Sequence, residues 1–203
     1  MFNTLASSEV ISKTVKALQE KKAVVHVVED KVAALAKLKE VLPMGAQIMT
    51  GSSTTLEQIG FVDLLKSGNH GWNNMKDAIV AEKDPEKQNE LRKQSISSEY
   101  FIVSVHALTE NGEYLMASAS GSQIPSTAFA SNNVVLVIGA QKIVPSIEEG
   151  IKRIKQHVMP LEDVRMKSVG YPGTMLAKLL ISFGEIMPTR TITIILVNEV
   201  LGF

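Results

Sequence analysis

Five short apolar segments rich in β-branched residues most constrain the fold of this chain. They occupy residues 23–28, 46–50, 100–105, 134–138 and 192–197, and the second is the weakest. Their apolar residues are continuous rather than alternating, which is typical of strands covered on both faces, as in a parallel sheet. Stretches of helical period lie between them. The sequence therefore predicts a three-layer α/β fold, with a mostly parallel central sheet flanked by helices.

Three of the intervening stretches each carry one apolar face of helical spacing. These faces comprise Ile11, Val15 and Leu18; Val32, Leu35 and Leu42; and Ile147, Ile151 and Ile154. Asp30 is placed to cap the second helix, and Ser146-x-x-Glu149 has the spacing of a capping box for the third. Residues 84–93 are predicted to begin a charged, solvated helix.

A polar insertion at residues 67–74 contains the single tryptophan, Trp72. It is either a mobile lid or a surface loop in which Trp72 serves as an anchor or lies in a subunit contact, and the second alternative is favoured. No linker, repeat or low-complexity tract divides the chain, so residues 1–203 are predicted to form one domain.

Composition excludes several classes of function. Lys and Arg number 21, and Asp and Glu also number 21, with no basic cluster, so a nucleic-acid binder is disfavoured. The chain has no cysteine, which excludes thiolate zinc sites, cysteine-ligated iron–sulfur clusters and thiol nucleophiles. No metal-ligand spacing, membrane-spanning run or signal peptide is visible. We expect a soluble cytoplasmic protein with no metal, membrane or nucleic-acid partner.

The first candidate ligand loop follows the predicted strand at residues 46–50 and opens a helix. Backbone amides and hydroxyls at such a position suit a phosphate or carboxylate. The loop lacks the pattern of a Walker loop or a dinucleotide fingerprint, and no cofactor is predicted. Alternatively, Thr54-x-x-Glu57 is a capping box, which is compatible with anion binding. The residues of this candidate ligand-binding loop are Gly51, Ser52, Ser53, Thr54 and Thr55.

A second candidate site lies where a buried strand ends in a turn. Glu110 is followed by Asn111 and Gly112, and a partly desolvated carboxylate there suits a general base or a nucleophile. Asn111-Gly112 also favours a tight turn, so the alternative is a hairpin corner with Glu110 in solvent. His106, four residues earlier, is a weaker catalytic candidate with the same ambiguity.

A third candidate comprises small polar residues and one cation. Ser120, Gly121, Ser122 and Gln123 would allow a ligand close to the backbone, or would simply form a turn before a helix. Lys142 follows the predicted strand at residues 134–138 and would offer a positive charge to an anion. The alternative is that Lys142 is a solvated surface charge.

Several of these segments resemble the lactate-utilisation (LUD) domain family. Residues 101–113 are similar to its apolar strand followed by Asn-Ala-Ile-Thr-Glu-Asp-Gly, and residues 137–145 to its Val-Gly-x-x-Lys-Ile-Val stretch. Residues 157–165 and 195–203 fit in the same order. The resemblance implies a fold like that of ribose-phosphate isomerases and CoA-transferases. Thr109-Glu110-Asn111-Gly112 also resembles the Ser-Glu-Asn-Gly motif of one CoA-transferase class, which implies a nucleophilic role for Glu110 as a hypothesis.

Two functions follow from this resemblance. One is a role in the utilisation of lactate or another small organic acid, with a small anionic metabolite bound at strand-end loops. The other is a non-catalytic partner or assembly subunit of an iron–sulfur redox complex, or a metabolite-responsive binding module. Whether the chain is an enzyme stays open at this point. A homo-oligomer is compatible with the fold class, but no sequence feature specifies one.

Overall fold

The computed structural model describes residues 2–203; Met1, the first residue of the predicted domain, lies outside this range. Within it, the helices are α1 (Ser8–Glu20), α2 (Lys31–Val41), α3 (Thr54–Gln58), α4 (Phe61–Ser67), α5 (Met75–Ala81), α6 (Pro85–Gln94), α7 (Ile147–Arg153) and α8 (Met159–Ser168). The strands are β1 (Val24–Val28), β2 (Gln47–Thr50), β3 (Asn73–Asn74), β4 (Tyr100–Val103), β5 (Ala107–Thr109), β6 (Tyr114–Ser118), β7 (Asn133–Gly139), β8 (Ile143–Val144), β9 (Lys178–Ser182) and β10 (Thr191–Val197). None of the helices in this range is both long and apolar enough to cross a membrane.

A parallel sheet forms the centre of the described structure. Its strand order is β1-β10-β7-β4-β2-β3, and every neighbouring pair is parallel. All five apolar segments identified in the sequence are strands of this sheet. The predicted α/β fold, with a mostly parallel central sheet flanked by helices, is therefore confirmed.

A second, mixed sheet was not predicted. Its order is β8-β5-β6-β9, with β6 antiparallel to both β5 and β9 and β8 parallel to β5. β5 and β6 form a hairpin, in which the amide of Gly112 donates to the carbonyl of Thr109 at 2.9 Å. The turn chemistry of Asn111 and Gly112 thus produces the hairpin corner that was the alternative interpretation.

Both faces of the parallel sheet are covered, which explains the continuous apolar runs. In β7, Val135 and Val137 pack with α2, α3 and α4. Val134, Leu136 and Ile138 of the same strand pack with α1 and the second sheet. Each such side chain contributes about 1.5–3 kcal/mol by leaving water. The far face of the second sheet packs against α7 and α8.

Helix ends follow the sequence signals closely, with two corrections. Asp30 caps α2 by accepting the amide of Ala33 at 2.8 Å, and Ser146 caps α7. Ser53 rather than Thr54 caps α3, because its hydroxyl accepts the amide of Leu56. Of the predicted α2 face, Leu42 is 3% exposed and Leu35 packs against the same core, but Val32 is 70% exposed; Ala34 and Leu38 are the fully buried residues of the helix.

Trp72 is an anchor. It is 8% exposed and its ring contacts Phe61, with centroids 5.7 Å apart. Its Nε1 donates to the carbonyl of Leu42 at 3.3 Å. The indole therefore fixes the 67–74 segment to the core and is not free to close over a ligand. The charged segment at residues 84–93 forms α6, which buries none of its side chains.

Candidate functional site

A cleft of about 300 Å³ opens at the carboxyl ends of β2, β4 and β7. Its walls come from the loop before α3, the β4–β5 connection, the turn after β6, and α8. Open α/β sheets bind ligands at this edge, and the volume falls at the lower end of the range of roughly 300–1,000 Å³ for small-molecule sites. The residues that define the cleft include Ser52, Ser104, His106, Ser118, Lys142 and Glu162.

Lys142 lines the cleft but is only 3% exposed. It ends a short, buried 3₁₀ turn, Ala140–Lys142, that directly follows β7. Its Nζ donates to Thr55 Oγ1 at 3.0 Å, Ser104 Oγ at 3.1 Å and the Val105 carbonyl at 3.2 Å. Among residues 2–203, no Asp or Glu side chain is paired with this ammonium. Burial, assisted by the nearby charge of Arg153, lowers the pKa of Lys142 to about 7.

Arg153 supplies a second buried cation behind the cleft. The residue is fully buried at the end of α7, where a π-helical turn joins α7 to α8. Its Nη1 donates to the carbonyls of His106 and Phe203. Its Nε and Nη2 have no hydrogen-bond partner among the described residues. Burial lowers the pKa of Arg153 to about 10, so the guanidinium stays charged near neutral pH.

His106 offers a fixed hydrogen-bond donor to the cleft. Its Nδ1 accepts the amide of Ala117 at 3.0 Å. A backbone N–H can only donate, so Nδ1 carries no proton and the neutral ring must hold its proton on Nε2. Burial, with the charges of Lys142 and Arg153, lowers the pKa of His106 to about 3. The ring is therefore neutral over the physiological range.

The α8 wall carries an ion pair. Arg165 contacts Glu162 through Nε at 2.7 Å and through Nη2 at 2.6 Å. This bidentate hydrogen bonding raises the pKa of Arg165. Because the two charges offset each other, the net positive charge at the cleft comes from Lys142, with Arg153 behind it.

The model of the LUD domain matches residues 11–197. This chain belongs to the LUD domain family. The resemblance drawn from the sequence is therefore confirmed, and at family level it associates the protein with lactate utilisation. No curated protein matches this LUD domain at a significant level.

A solved structure similar to this LUD domain supports its fold. A DUF162 family protein from Deinococcus radiodurans aligns with a TM-score of 0.58 at 10% identity, covering 96% of this chain and 100% of that chain. At that identity the likeness concerns the fold alone. The eIF2B delta protein from Chaetomium thermophilum aligns with a TM-score of 0.38 at 10% identity, over 70% of this chain and 54% of that chain.

Most of the predicted ligand-binding residues of this LUD domain meet in the cleft. Lys142 and His106 lie there beside residues 52–55, which we call the hydroxyl loop, and beside the turn after β6. α3 has only five residues, so its dipole adds little and the hydroxyls are the main contribution of the loop. The predicted residues that line the cleft are Ser52, Ser53, Thr54, Thr55, His106, Ser120, Ser122, Gln123 and Lys142.

Two predicted glycines support the walls without lining the cleft. A Cβ on Gly51 would lie 2.7 Å from Val103 Cγ2 and 2.9 Å from Gln123 Oε1. Gly51 is thus required for the close approach of the loop to β4. Gly121 lies in the turn after β6, where its amide donates to Ser118 Oγ at 2.9 Å.

Glu110, Asn111 and Gly112 do not join the other predicted residues. They form the β5–β6 turn, which packs against α1 on another side of the molecule. Glu110 pairs with Lys13 of α1 at 2.8 Å and does not line the cleft. A catalytic role for Glu110 stays a prediction, and its surroundings do not connect it with this site.

Among the residues of the site, sequence reasoning missed Ser104, Ser118, Arg153, Glu162 and Arg165. Glu162 and Arg165 lie in the 157–165 segment that resembles the family, which was the available signal for them. Ser104 follows a strand and Arg153 ends a helix, and neither position distinguishes a site residue from an ordinary polar residue. Groups of three or more His, Asp or Glu side chains suited to a metal do not occur within residues 2–203.

Proposed function

We propose that this LUD domain binds a small carboxylate-bearing metabolite of the 2-hydroxy acid type in the cleft, with Lys142 as its cationic contact. The observation that carries the proposal is the burial of Lys142 at the cleft without an acidic partner among the described residues. A buried charge is costly unless it is paired. A carboxylate entering the cleft would provide that pair, and Arg153 adds to the attraction from behind.

The remaining polar groups suit the rest of such a molecule. His106 presents a neutral Nε2–H, which would donate to a hydroxyl or carboxylate oxygen. Ser52, Ser104 and Ser118 add hydroxyls that both donate and accept. A compact, oxygen-rich molecule fits this lining better than an apolar one, and the family-level association with lactate supports a 2-hydroxy acid.

The test is isothermal titration calorimetry of the full chain with L-lactate, D-lactate, glycolate and glycerate. We expect at least one of them to bind, and Lys142→Met to lose most of the affinity because the cation is gone. Lys66→Met is the matched control, since Lys66 is an exposed lysine on α4. Circular dichroism checks that both variants are folded. If the folded wild-type protein binds none of these acids, the proposal fails.

The pH dependence of binding gives an independent readout. A carboxylate is attracted to the protonated form of Lys142, whose pKa is about 7 in the unliganded protein. Affinity should therefore be highest below that value and fall as the pH rises through it. His106, with its pKa at about 3, stays neutral throughout and should not contribute to the profile. An affinity that rises with pH over this interval would contradict the role assigned to Lys142.

A protein partner in a redox complex, self-association and a cytoplasmic location stay predictions. The cleft supports ligand binding by this chain itself, and binding is a requirement shared by an enzyme and by a metabolite-responsive module.

A further inference from the structure

We propose that Lys142 Nζ condenses with the carbonyl carbon of a small 2-oxo acid held in the cleft, forming an imine. This rests on the proposed function, because the oxo acid would occupy the cleft proposed for the hydroxy acid. In the imine step its carboxylate would be held by the cleft hydroxyls, with the charge of Arg153 behind them, since a neutral Nζ no longer pairs with it. A 2-oxo acid differs from the corresponding 2-hydroxy acid only in the oxidation state of one carbon, so the same cleft would admit both.

The surroundings of Lys142 favour a reactive amine over a fixed ammonium. The three atoms that Nζ contacts are two hydroxyl oxygens and one carbonyl oxygen, all of them uncharged. A lysine paired with a carboxylate would be held in its charged form. Here burial lowers the pKa of Lys142, and the nearby charge of Arg153 lowers it further. Buried lysines near another cation are the ones that form Schiff bases in enzymes.

The two hydroxyls allow Nζ to change its protonation state in place. Thr55 Oγ1 and Ser104 Oγ can accept from an ammonium, and either can instead donate to the lone pair of a neutral amine. They also lie 3.3 Å apart, within hydrogen-bonding distance of each other. Proton loss from Nζ therefore leaves no buried polar atom without a partner.

The reaction balances without an oxidant or reductant. The neutral amine attacks the carbonyl carbon, so that the N–C bond forms and the carbonyl π electrons move to oxygen. A proton passes from nitrogen to that oxygen and gives a carbinolamine. The C–O bond of the carbinolamine then breaks, the oxygen leaves as water with the second proton of the nitrogen, and the C=N bond forms. The Nε2–H of His106, fixed by Ala117, is available to polarise the carbonyl oxygen.

The experiment is reductive trapping. The full chain is incubated with pyruvate or glyoxylate and sodium cyanoborohydride, and the adduct is located by intact mass and peptide mapping. We expect one carboxyalkyl group on Lys142, and we expect lactate, which has no carbonyl, to give no adduct but to protect Lys142 by competition. Lys142→Arg, which keeps a positive charge but lacks the amine, should lose the adduct, whereas Lys66→Met should retain it.

The outcomes separate this inference from the function on which it rests. If the folded protein binds lactate and pyruvate by calorimetry but no adduct forms on Lys142, the imine is excluded and the binding site stands. If neither acid binds, both proposals fail. Modification spread over exposed lysines, and equal in Lys142→Arg, would also overturn the imine.

Discussion

Burial drives Lys142 and His106 towards their neutral forms, with opposite consequences for hydrogen bonding. A lysine that loses its proton gains a lone pair and becomes a nucleophile. A histidine whose Nδ1 already accepts a backbone amide keeps a donor at Nε2 whatever the pH near neutrality. The cleft therefore contains one group that changes with pH and one that does not.

At the scale of single residues, Lys142 should make the free energy of unfolding depend on pH. Its pKa is about 7 in the folded protein and has an ordinary value of 10.5. Between these values the unfolded chain binds more protons, so the contribution of Lys142 to stability rises with pH across the interval and is flat below it. Urea unfolding at several pH values should show this rise in the wild type and in Lys66→Met. The rise should be smaller in Lys142→Met. If the free energy of unfolding changed equally with pH in all three proteins, the lowered pKa of Lys142 would be contradicted.

His106 should show one tautomer. Nitrogen NMR of the labelled protein should find the proton on Nε2 and none on Nδ1 between about pH 5 and pH 8, the range in which an ordinary histidine titrates. The reason is the amide of Ala117, which occupies Nδ1. A titration with a midpoint near the ordinary pKa of 6.5 would show that this ring is charged in part of the range.

At the scale of elements, Arg190 joins the entry of β10 to the π-helical turn Ser126–Ala130. Its guanidinium donates to the carbonyls of Thr127 at 2.9 Å, Ala128 at 3.0 Å and Ser131 at 3.0 Å. It also pairs with Glu185, and both side chains are largely buried. One side chain thus provides hydrogen-bond donors for the carbonyls at the end of that turn and positions β10 beside β7.

We expect Arg190→Ala to lower the free energy of unfolding by about 3–5 kcal/mol, because it leaves Glu185 and several carbonyls without their partner. Lys152→Ala is the control. Lys152 pairs with Glu149 at 3.2 Å, but both side chains are more than 40% exposed, and such pairs contribute about 0–1 kcal/mol. Urea unfolding measures both variants; equal losses would show that Arg190 is no more than a surface cation.

The elements also explain which parts of the fold could be predicted. The parallel strands β4, β7 and β10 each carry four or more consecutive apolar residues, which are visible in one sequence. β8 has two residues and β5 three, which is too short for any periodic signal. For that reason the second sheet was missed, and with it the position of Glu110. A strand followed by Glu-Asn-Gly has the same pattern whichever sheet it joins, but β5 directs its end towards α1 and away from the cleft.

At the scale of the whole molecule, the cleft is assembled from distant parts of the chain. Thr55, Ser104 and Lys142 meet at one nitrogen, and Gly202 passes beside them. The hydroxyl loop and Lys142 were predictable because each follows an apolar strand of the parallel sheet. Arg153 was not, since a charged residue on a helix is usually solvated, and its burial depends on how α7 packs on a sheet that the sequence did not reveal.

Gly202, in the segment after β10, lies against Thr55 and Lys142 of the site. Its φ is +66°, and a Cβ there would lie 2.3 Å from Thr55 Oγ1 and 3.0 Å from Lys142 Nζ. Gly68 has φ +70° with no described atom within 4 Å of the same position. Alanine at either site should cost about 1–2 kcal/mol from the left-handed backbone. Only Gly202→Ala should also weaken ligand binding by calorimetry, and equal affinities for the two variants would contradict this.

The pairing of β1 with β10 has a consequence for how the protein folds. Val24 lies beside Thr193, so strands from opposite ends of the sequence become neighbours. Loop closure over such a distance is entropically costly, and topologies rich in distant contacts fold slowly. The carboxyl end of β10 also leads into the segment beside Lys142. Until that last strand has docked, the chain has a sheet but no complete pocket, so a bound acid should slow unfolding of the entire structure rather than protect one part of it.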